Sequence, residues 1–169
     1  LKESLEIFNE VLNKPAQENG GFIKKYFQQE KENLKEKIKS RINDKMKYAV
    51  DRCVEEMCHD EAFSIYEYGS LEELEKIDEI SLFNHYQRVL KTSPIDIFLI
   101  GDIEEENSRE LIIENIDFER GNVISIPREK IEKKIMKIKE IEENLNINQG
   151  KLTLGYRTNI PYESELYES

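Results

Sequence analysis

The chain has 169 residues, of which 38% are apolar, so it is long enough for about one domain with a core of its own. Its 36 acidic and 25 basic residues give a net charge of −11, which argues against binding to nucleic acid or to an anionic membrane surface. With two cysteines, no long apolar run and no basic and apolar leader, the sequence is typical of a cytoplasmic protein with reduced thiols.

The first third of the chain shows the apolar spacing of consecutive amphipathic helices. A first helix is predicted over residues 1–12, and a second one runs from Phe22 to Arg41. Asn43-Asp44 supplies good N-cap residue types and is followed by an apolar stripe from Met46 to Met57. That stripe fits either the continuation of one kinked helix or a separate helix.

Three helices and one strand are predicted in the middle of the chain. The segment Ser70–Glu73 has the form of a capping box, which predicts a short helix through Ile77. Apolar residues at helical spacing predict a helix over 82–90 and another through 111–113. Between these two helices, Ile95–Gly101 is short, apolar and rich in β-branched residues, so it predicts a buried strand.

The last third of the chain is less regular. A turn-rich connector over 117–122 precedes a short strand candidate at 123–126, and residues 131–143 fit either a helix or a strand. Residues 151–157 alternate, with Leu152, Leu154 and Tyr156 on one face, which predicts a strand. The whole sequence therefore predicts mixed α and β structure in which helices dominate.

Complete catalytic or metal-binding motifs are absent from the sequence. The two histidines, His59 and His85, do not belong to an H-x-x-E-H pair that could present two imidazoles from one helical face. The run Cys58–Glu61 contains ligand types, but consecutive residues point in different directions and cannot converge on one ion. We therefore expect His59 at a helix end, His85 as a half-buried helix residue, and no catalytic residue.

Two charged residues mark a strip on the predicted helix from Phe22 to Arg41. Glu30 and Lys37 are seven residues apart, which is almost two helical turns, so they lie on the same side of the helix. An acid at both positions would form a possible metal site, whereas here the second residue is a lysine. The plainest interpretation is that Lys37 is a surface lysine paired with nearby acids.

Four blocks of this sequence resemble one half of the insulinase-like family of zinc peptidases, which includes the mitochondrial processing peptidases and pitrilysin. The blocks are Phe27–Ala49, Gly69–Leu74 with the helix at 82–90, Ile95–Gly101, and Gln149–Thr158. The match is best to the zinc-protease-like branch of Firmicutes, often thought to be non-catalytic partners of an active relative. The resemblance implies an α+β fold with a helix-rich layer packed on an antiparallel sheet, as in the insulinase-like metallohydrolase fold.

The resemblance also implies a division of the chain. Residues 1–116 would form the later part of the first half of such a peptidase, with its closing strand. Residues 117–150 would connect the halves, and residues 151–169 would hold the first strand of the second half. A start at Leu1 agrees with a piece of a longer protein.

The same resemblance places the third zinc ligand of active members at Lys37. The family pattern, laid over residues 30–38, puts Lys37 where active members carry a glutamate, and an ammonium cannot ligate zinc. A shift by one residue would put Glu36 there, but it would break the register of Phe27 and Ile38. The resemblance thus implies no zinc in this chain. Glu30 and Glu36 would be relics of the site strip, that is, carboxylates left over from the metal site of active members.

Three functions remain open from the sequence. The first is a catalytically silent part of a zinc-peptidase-like protein that acts as scaffold or partner in peptide binding and proteolytic processing. Its partners would be a peptide or protein substrate and an active peptidase homologue. The second is an active zinc metallopeptidase whose H-x-x-E-H lies upstream of this sequence. The third is a helical protein-interaction domain.

Overall fold

The computed structural model describes residues 2–102, 104–127, 138–146, 148–158, 160 and 164. Helices dominate these residues, and a two-stranded antiparallel sheet accompanies them, so the chain is α+β. The α-helices are α1 (Lys2–Asn13), α2 (Lys24–Ser40), α3 (Lys45–Met57), α4 (Leu71–Glu75), α5 (Glu79–Thr92) and α6 (Glu105–Asn115). The strands are β1 (Gln17–Glu18) and β2 (Gly21–Phe22), and short 3-10 helices cover Arg41–Asn43 and Ala62–Ser64. None of the helices in the described ranges combines the length and hydropathy that a bilayer crossing requires.

The chain divides into two compact units. The first comprises Leu1–Glu32 and Glu75–Pro127, and the second comprises Asn33–Leu74 and Arg128–Ser169. Each unit therefore combines an early and a late part of the chain, so its stability depends on contacts between residues that are distant in sequence.

The first unit is organised around the hairpin of β1 and β2. Its turn residues Asn19 and Gly20 both have positive φ, at 52° and 80°, as a tight two-residue hairpin requires. Gly21 follows in β2, and a Cβ there would lie 2.9 Å from the carbonyl oxygen of Glu79. The missing side chain at Gly21 thus allows the hairpin backbone to approach the start of α5.

Aromatic contacts form the core between the hairpin and α5. The ring of Phe22 meets that of Phe83 edge to face, with centroids 5.2 Å apart, and Phe83 is buried. Tyr86, one turn on, lies 5.7 Å from Phe22 and donates its hydroxyl proton to the Leu12 carbonyl at 2.6 Å. These contacts connect α5 to both the hairpin and the end of α1.

The second unit contains α3, whose start was predicted from the sequence. Asp44 is the N-cap, and its carboxylate accepts a hydrogen bond from the Lys47 N–H at 3.0 Å. The 3-10 helix Arg41–Asn43 separates α2 from α3, so the two-helix alternative is correct. Cys58 and Leu74 are the buried apolar residues of this unit among those described.

The other helix predictions agree with the structure within a few residues. Ser70 caps α4 by accepting the Glu73 N–H at 3.2 Å, although this helix ends at Glu75 and does not reach Ile77. Asp78 and Ser81 form a full capping box at the start of α5. The cap predicted at Ser70 is therefore present, and the sequence analysis did not predict the capping box of α5.

The prediction of a buried strand at Ile95–Gly101 is wrong. These residues form no strand in the structure, and the side chains of Phe98 and Ile100 are 86% and 97% exposed. A strand is completed by hydrogen bonds to a neighbouring strand, and the described residues contain no strand beside this segment.

The later strand predictions fail for the same reason. Residues 123–126 and 151–157 form no strand among the described residues. Of the ambiguous stretch 131–143, residues 131–137 lie outside the described ranges, and 138–143 are neither helix nor strand. Leu152, Leu154 and Tyr156, which the sequence predicts on one face of a strand, all have exposed side chains.

Candidate functional site

Helix α2 carries the strip of charged residues that the sequence singled out. Glu30 lies in the part of α2 that belongs to the first unit, whereas Glu36 and Lys37 lie in the part that belongs to the second. All three are exposed residues. In the ranges that the structure describes, no three His, Cys, Asp or Glu side chains are close enough to hold a metal ion together.

Lys37 packs against an aromatic ring. Its Nζ lies 4.1 Å from the ring centroid of Tyr68, within the range of a cation–π interaction. Hydrogen bonding to Tyr68, with smaller contributions from the charges of Tyr68 and Glu67, raises the pKa of Lys37. The side chain therefore stays an ammonium, which has no lone pair to offer. An ammonium does not fit the zinc-ligand role that the resemblance implies for this position, and its partner here is the ring of Tyr68.

A second cation one turn further along repeats this arrangement. The guanidinium carbon of Arg41 lies 4.1 Å from the centroid of Tyr66, and the rings of Tyr66 and Tyr68 meet edge to face at 5.5 Å. Lys37 and Arg41 are four residues apart, so they lie one above the other. We call these four residues the tyrosine ladder.

A turn positions the two rings of the tyrosine ladder. The Gly69 N–H donates to the Tyr66 carbonyl at 2.8 Å, and Gly69 has a φ of 69°, which favours glycine. The turn places Tyr66 and Tyr68 opposite the two cations, so the ladder depends on a local backbone geometry as well as on α2.

Arg41 is the most firmly held member of the tyrosine ladder. Its Nη1 lies 2.6 Å from a Glu55 carboxylate oxygen and its Nε 3.3 Å from Asp51, while Tyr48 covers the guanidinium at 5.4 Å. Its Nη2 is buried without a hydrogen-bond partner among the described residues. The ladder is therefore attached to α3 by charge-assisted hydrogen bonds, which indicates a structural role.

Glu36, the alternative ligand considered from the sequence, is paired with a lysine on its own helix. Its carboxylate oxygen lies 2.8 Å from Lys39 Nζ, and the hydrogen bond and charge of Lys39 lower the pKa of Glu36. Its negative charge is thus matched by a neighbour one turn along the exposed side of α2.

Neither histidine is a residue of α2. His59 follows the end of α3, as predicted, and its Nδ1 is 3.1 Å from the carboxylate of Asp60. His85 is an exposed residue of α5 with Arg88 Nη2 2.9 Å from its Nδ1, so the prediction of a half-buried side chain is wrong. The buried residue of that helix turn is Phe83, and His85 lies on a different side.

The sequence did not predict the partners of Lys37, Arg41 and Arg157 in the second unit. Arg157 binds Glu61, with Nη2 2.6 Å from the carboxylate, and 96 positions separate the two. No local sequence pattern predicts a pair whose members are so far apart in the chain. The spacing of Lys37 and Arg41 by four residues, with two tyrosines at 66 and 68, was a usable signal for the ladder.

Comparison with known proteins gives two similar chains. No protein-family model matches the sequence. A Bacillus subtilis (strain 168) protein named "Probable inactive metalloprotease YmfF" is 28% identical over 167 residues, which are 99% of this chain and 39% of that protein. The chain thus spans about two fifths of the length of this curated relative.

A solved structure is also similar. It is described as the crystal structure of a conserved protein from Enterococcus faecalis V583, with a TM-score of 0.63 and 28% sequence identity. The match covers 73% of this chain and 30% of that one. Both relatives are much longer than the matched region.

Proposed function

We propose that this chain is part of a catalytically silent, insulinase-like protein that acts as a scaffold or partner in peptide binding and proteolytic processing. The observation that carries the proposal is the environment of Lys37. At the position that the family resemblance assigns to the third zinc ligand, the chain has an ammonium on the ring of Tyr68. The similarity to a relative named as a probable inactive metalloprotease supports the same conclusion.

The chemical argument rests on what a zinc peptidase requires. Such an enzyme uses a zinc ion to activate a water molecule, and the ion needs ligands that donate lone pairs. An ammonium with a raised pKa offers none and adds a positive charge at the position that the resemblance assigns to a zinc ligand. No step of peptide hydrolysis is therefore assigned to a residue of this chain.

The first experiment uses the full-length protein that contains this chain. Its zinc content is measured by elemental analysis, and its hydrolysis of fluorogenic peptides is measured with and without a chelator. We expect no stoichiometric zinc and no chelator-sensitive cleavage. Stoichiometric zinc together with cleavage that the chelator abolishes would contradict the proposal and favour an active metallopeptidase.

A charge-reversal variant tests the role of Lys37 directly. Lys37→Glu restores a carboxylate at the assigned position, and Lys25→Glu makes the same charge change on an exposed residue near the start of α2. We expect neither variant to gain bound zinc. A gain of one zinc ion in Lys37→Glu alone would mean that the remaining zinc ligands are present and that Lys37 is what prevents the wild type from binding zinc.

The peptide-binding part of the proposal has its own test. Fluorescent peptides of about 10 to 25 residues, extended enough to pair with a backbone edge, are titrated into the full-length protein. Saturable binding without cleavage supports a scaffold, and an active homologue added to the mixture shows whether processing requires both proteins. Absence of binding to every peptide would favour a helical interaction domain.

A further inference from the structure

Residues 138–146 and 148–158, which we call the strap, lie along α3 without forming a helix or strand in their described part. Three of the strap's charged side chains bind the helix or the residues just after it. Glu143 accepts a hydrogen bond from Arg52 Nε at 2.7 Å and another from the Tyr48 hydroxyl at 2.8 Å. Lys139 forms an ion pair with Glu56.

The third attachment is at the far end of the strap. Arg157 donates to the Met57 carbonyl at 3.2 Å and to Glu61 at 2.6 Å. The side chains of Arg157 and Glu61 are 15% and 7% exposed, so this pair is much less hydrated than the other two. The attachments thus range from solvent-exposed at Lys139 to buried at Arg157.

Apolar burial contributes little to holding the strap. Leu152, Leu154 and Tyr156 are 81%, 67% and 79% exposed, and Ile138 and Ile141 are exposed as well. Leu145 is the one described apolar side chain of the strap that is partly buried. The side that faces the helix has Gly155, where a Cβ would lie 2.9 Å from Cys53 Sγ and 3.0 Å from Met57 Sδ. Ion pairs and hydrogen bonds are therefore the main attachment.

The strap covers two thiols, one within α3 and one just after the end of this helix. Cys53 lies next to Gly155 and is partly exposed, whereas Cys58 is 5% exposed and has Arg157 Nη1 3.8 Å from its Sγ. Neither cysteine forms a disulfide. Their reactivity toward a neutral reagent therefore reports whether the strap is in place.

We propose that the strap is a salt-sensitive clasp, closed on α3 by ion pairs, whose release uncovers Cys53 and Cys58. Partly exposed ion pairs are weakened by salt, because the Debye length falls from about 10 Å at 0.1 M to about 3 Å at 1 M. Two of the three attachments, Arg52–Glu143 and Lys139–Glu56, are of this kind, whereas Arg157–Glu61 is buried. Salt therefore loosens the strap at its two exposed attachments before the helices of its unit unfold. This inference is independent of the proposed function.

The test measures the labelling rate of each thiol by N-ethylmaleimide at constant pH, resolved by mass spectrometry of cysteine peptides. In the wild type we expect labelling of both thiols to accelerate between 0.1 M and 1 M sodium chloride, while the far-UV circular dichroism stays unchanged. A small thiol compound corrects for any effect of salt on the reagent.

Variants of the clasp sharpen the test. Glu143→Gln should accelerate labelling at 0.1 M salt by about three- to tenfold and reduce the salt dependence, because it removes the charge that Arg52 binds. Glu142→Gln is the matched control, since it makes the same change on the exposed neighbouring residue. Tyr48→Phe removes one hydrogen bond to Glu143 and should give an intermediate acceleration.

Three outcomes would overturn the clasp. They are equal rates in Glu143→Gln and Glu142→Gln, wild-type rates that salt does not change, and labelling that rises only together with loss of helical signal. If Glu143→Gln does not fold, Lys139→Gln decides the matter, because it removes the solvent-exposed ion pair with Glu56. A rate for Lys139→Gln equal to that of the wild type would then overturn the proposal.

Discussion

The ion pair of Arg157 and Glu61 offers the sharpest test of what stabilises the second unit. Arg157 lies 100 positions after Met57 and 96 after Glu61, and it binds both. The variant Arg157→Met keeps most of the aliphatic volume and removes the guanidinium. Glu61, which is buried, then loses the hydrogen bond and the charge of Arg157.

The expected loss follows from the burial of the pair. Removing one member of a buried ion pair costs about 3 to 5 kcal/mol, because the remaining charge stays desolvated after its ion-pair partner is lost. Arg157 is still partly hydrated, so we take the lower end, about 3 kcal/mol. For a chain of this length that corresponds to a fall in the melting temperature of about 6 to 12 °C.

The assay is urea unfolding followed by far-UV circular dichroism, since the chain has no Trp for a fluorescence signal. Far-UV circular dichroism follows the helices, whose unfolding is the transition that the pair is expected to stabilise. Arg109→Met, an exposed residue of α6, is the control and should change the unfolding free energy by less than about 0.5 kcal/mol.

A double-mutant cycle with Glu61→Gln separates the pair from the other contacts of each residue. We expect a coupling energy of about 2 kcal/mol between the two positions. A coupling below about 0.5 kcal/mol would refute the reasoning, because the two side chains would then contribute independently. A loss in Arg157→Met no larger than that in Arg109→Met would refute it as well.

Two further predictions concern acid stability and close packing. Hydrogen bonds from Arg52 and Tyr48 lower the pKa of Glu143 below its ordinary value of 4.5, so its stabilising contribution is complete above that value and is lost as the pH falls through the lowered pKa. The difference in unfolding free energy between the wild type and Glu143→Gln should therefore shrink below pH 4.5, and a difference that grows on acidification would contradict this. Gly21→Ala should cost about 1 to 3 kcal/mol in thermal unfolding, because a Cβ would lie 2.9 Å from the Glu79 carbonyl oxygen. Gly150→Ala, where a Cβ meets open space, is the control, and equal melting temperatures for the two variants would contradict the prediction.

The helices could be predicted from the sequence because their signals are local. The apolar stripes of α2, α3 and α5 recur every three to four residues, and Asp44 caps α3 through a neighbour three positions away. The hairpin was missed, since strands of two residues are too short to alternate. Its one signal was the Asn19-Gly20 pair, which is typical of a two-residue turn.

The strands could not be predicted correctly, since a strand depends on a second segment. Ile95–Gly101 has the composition of a buried strand, yet the described residues provide no strand beside it. The candidate site likewise has one part that the sequence predicts and one part that it does not. The position of Lys37 on α2 follows from helical periodicity, whereas its contact with Tyr68 requires the turn at Gly69 to be placed first.

The exposed segment at Ile97–Ile100 has a practical consequence for the protein in solution. These four consecutive apolar residues are exposed and form no strand, and such a segment can pair with an identical copy. Pro94 and Asp96 lie just before them and act as gatekeepers against such pairing. We therefore expect the chain, prepared by itself, to self-associate at high concentration through this segment, and a lysine at Phe98 to raise its solubility.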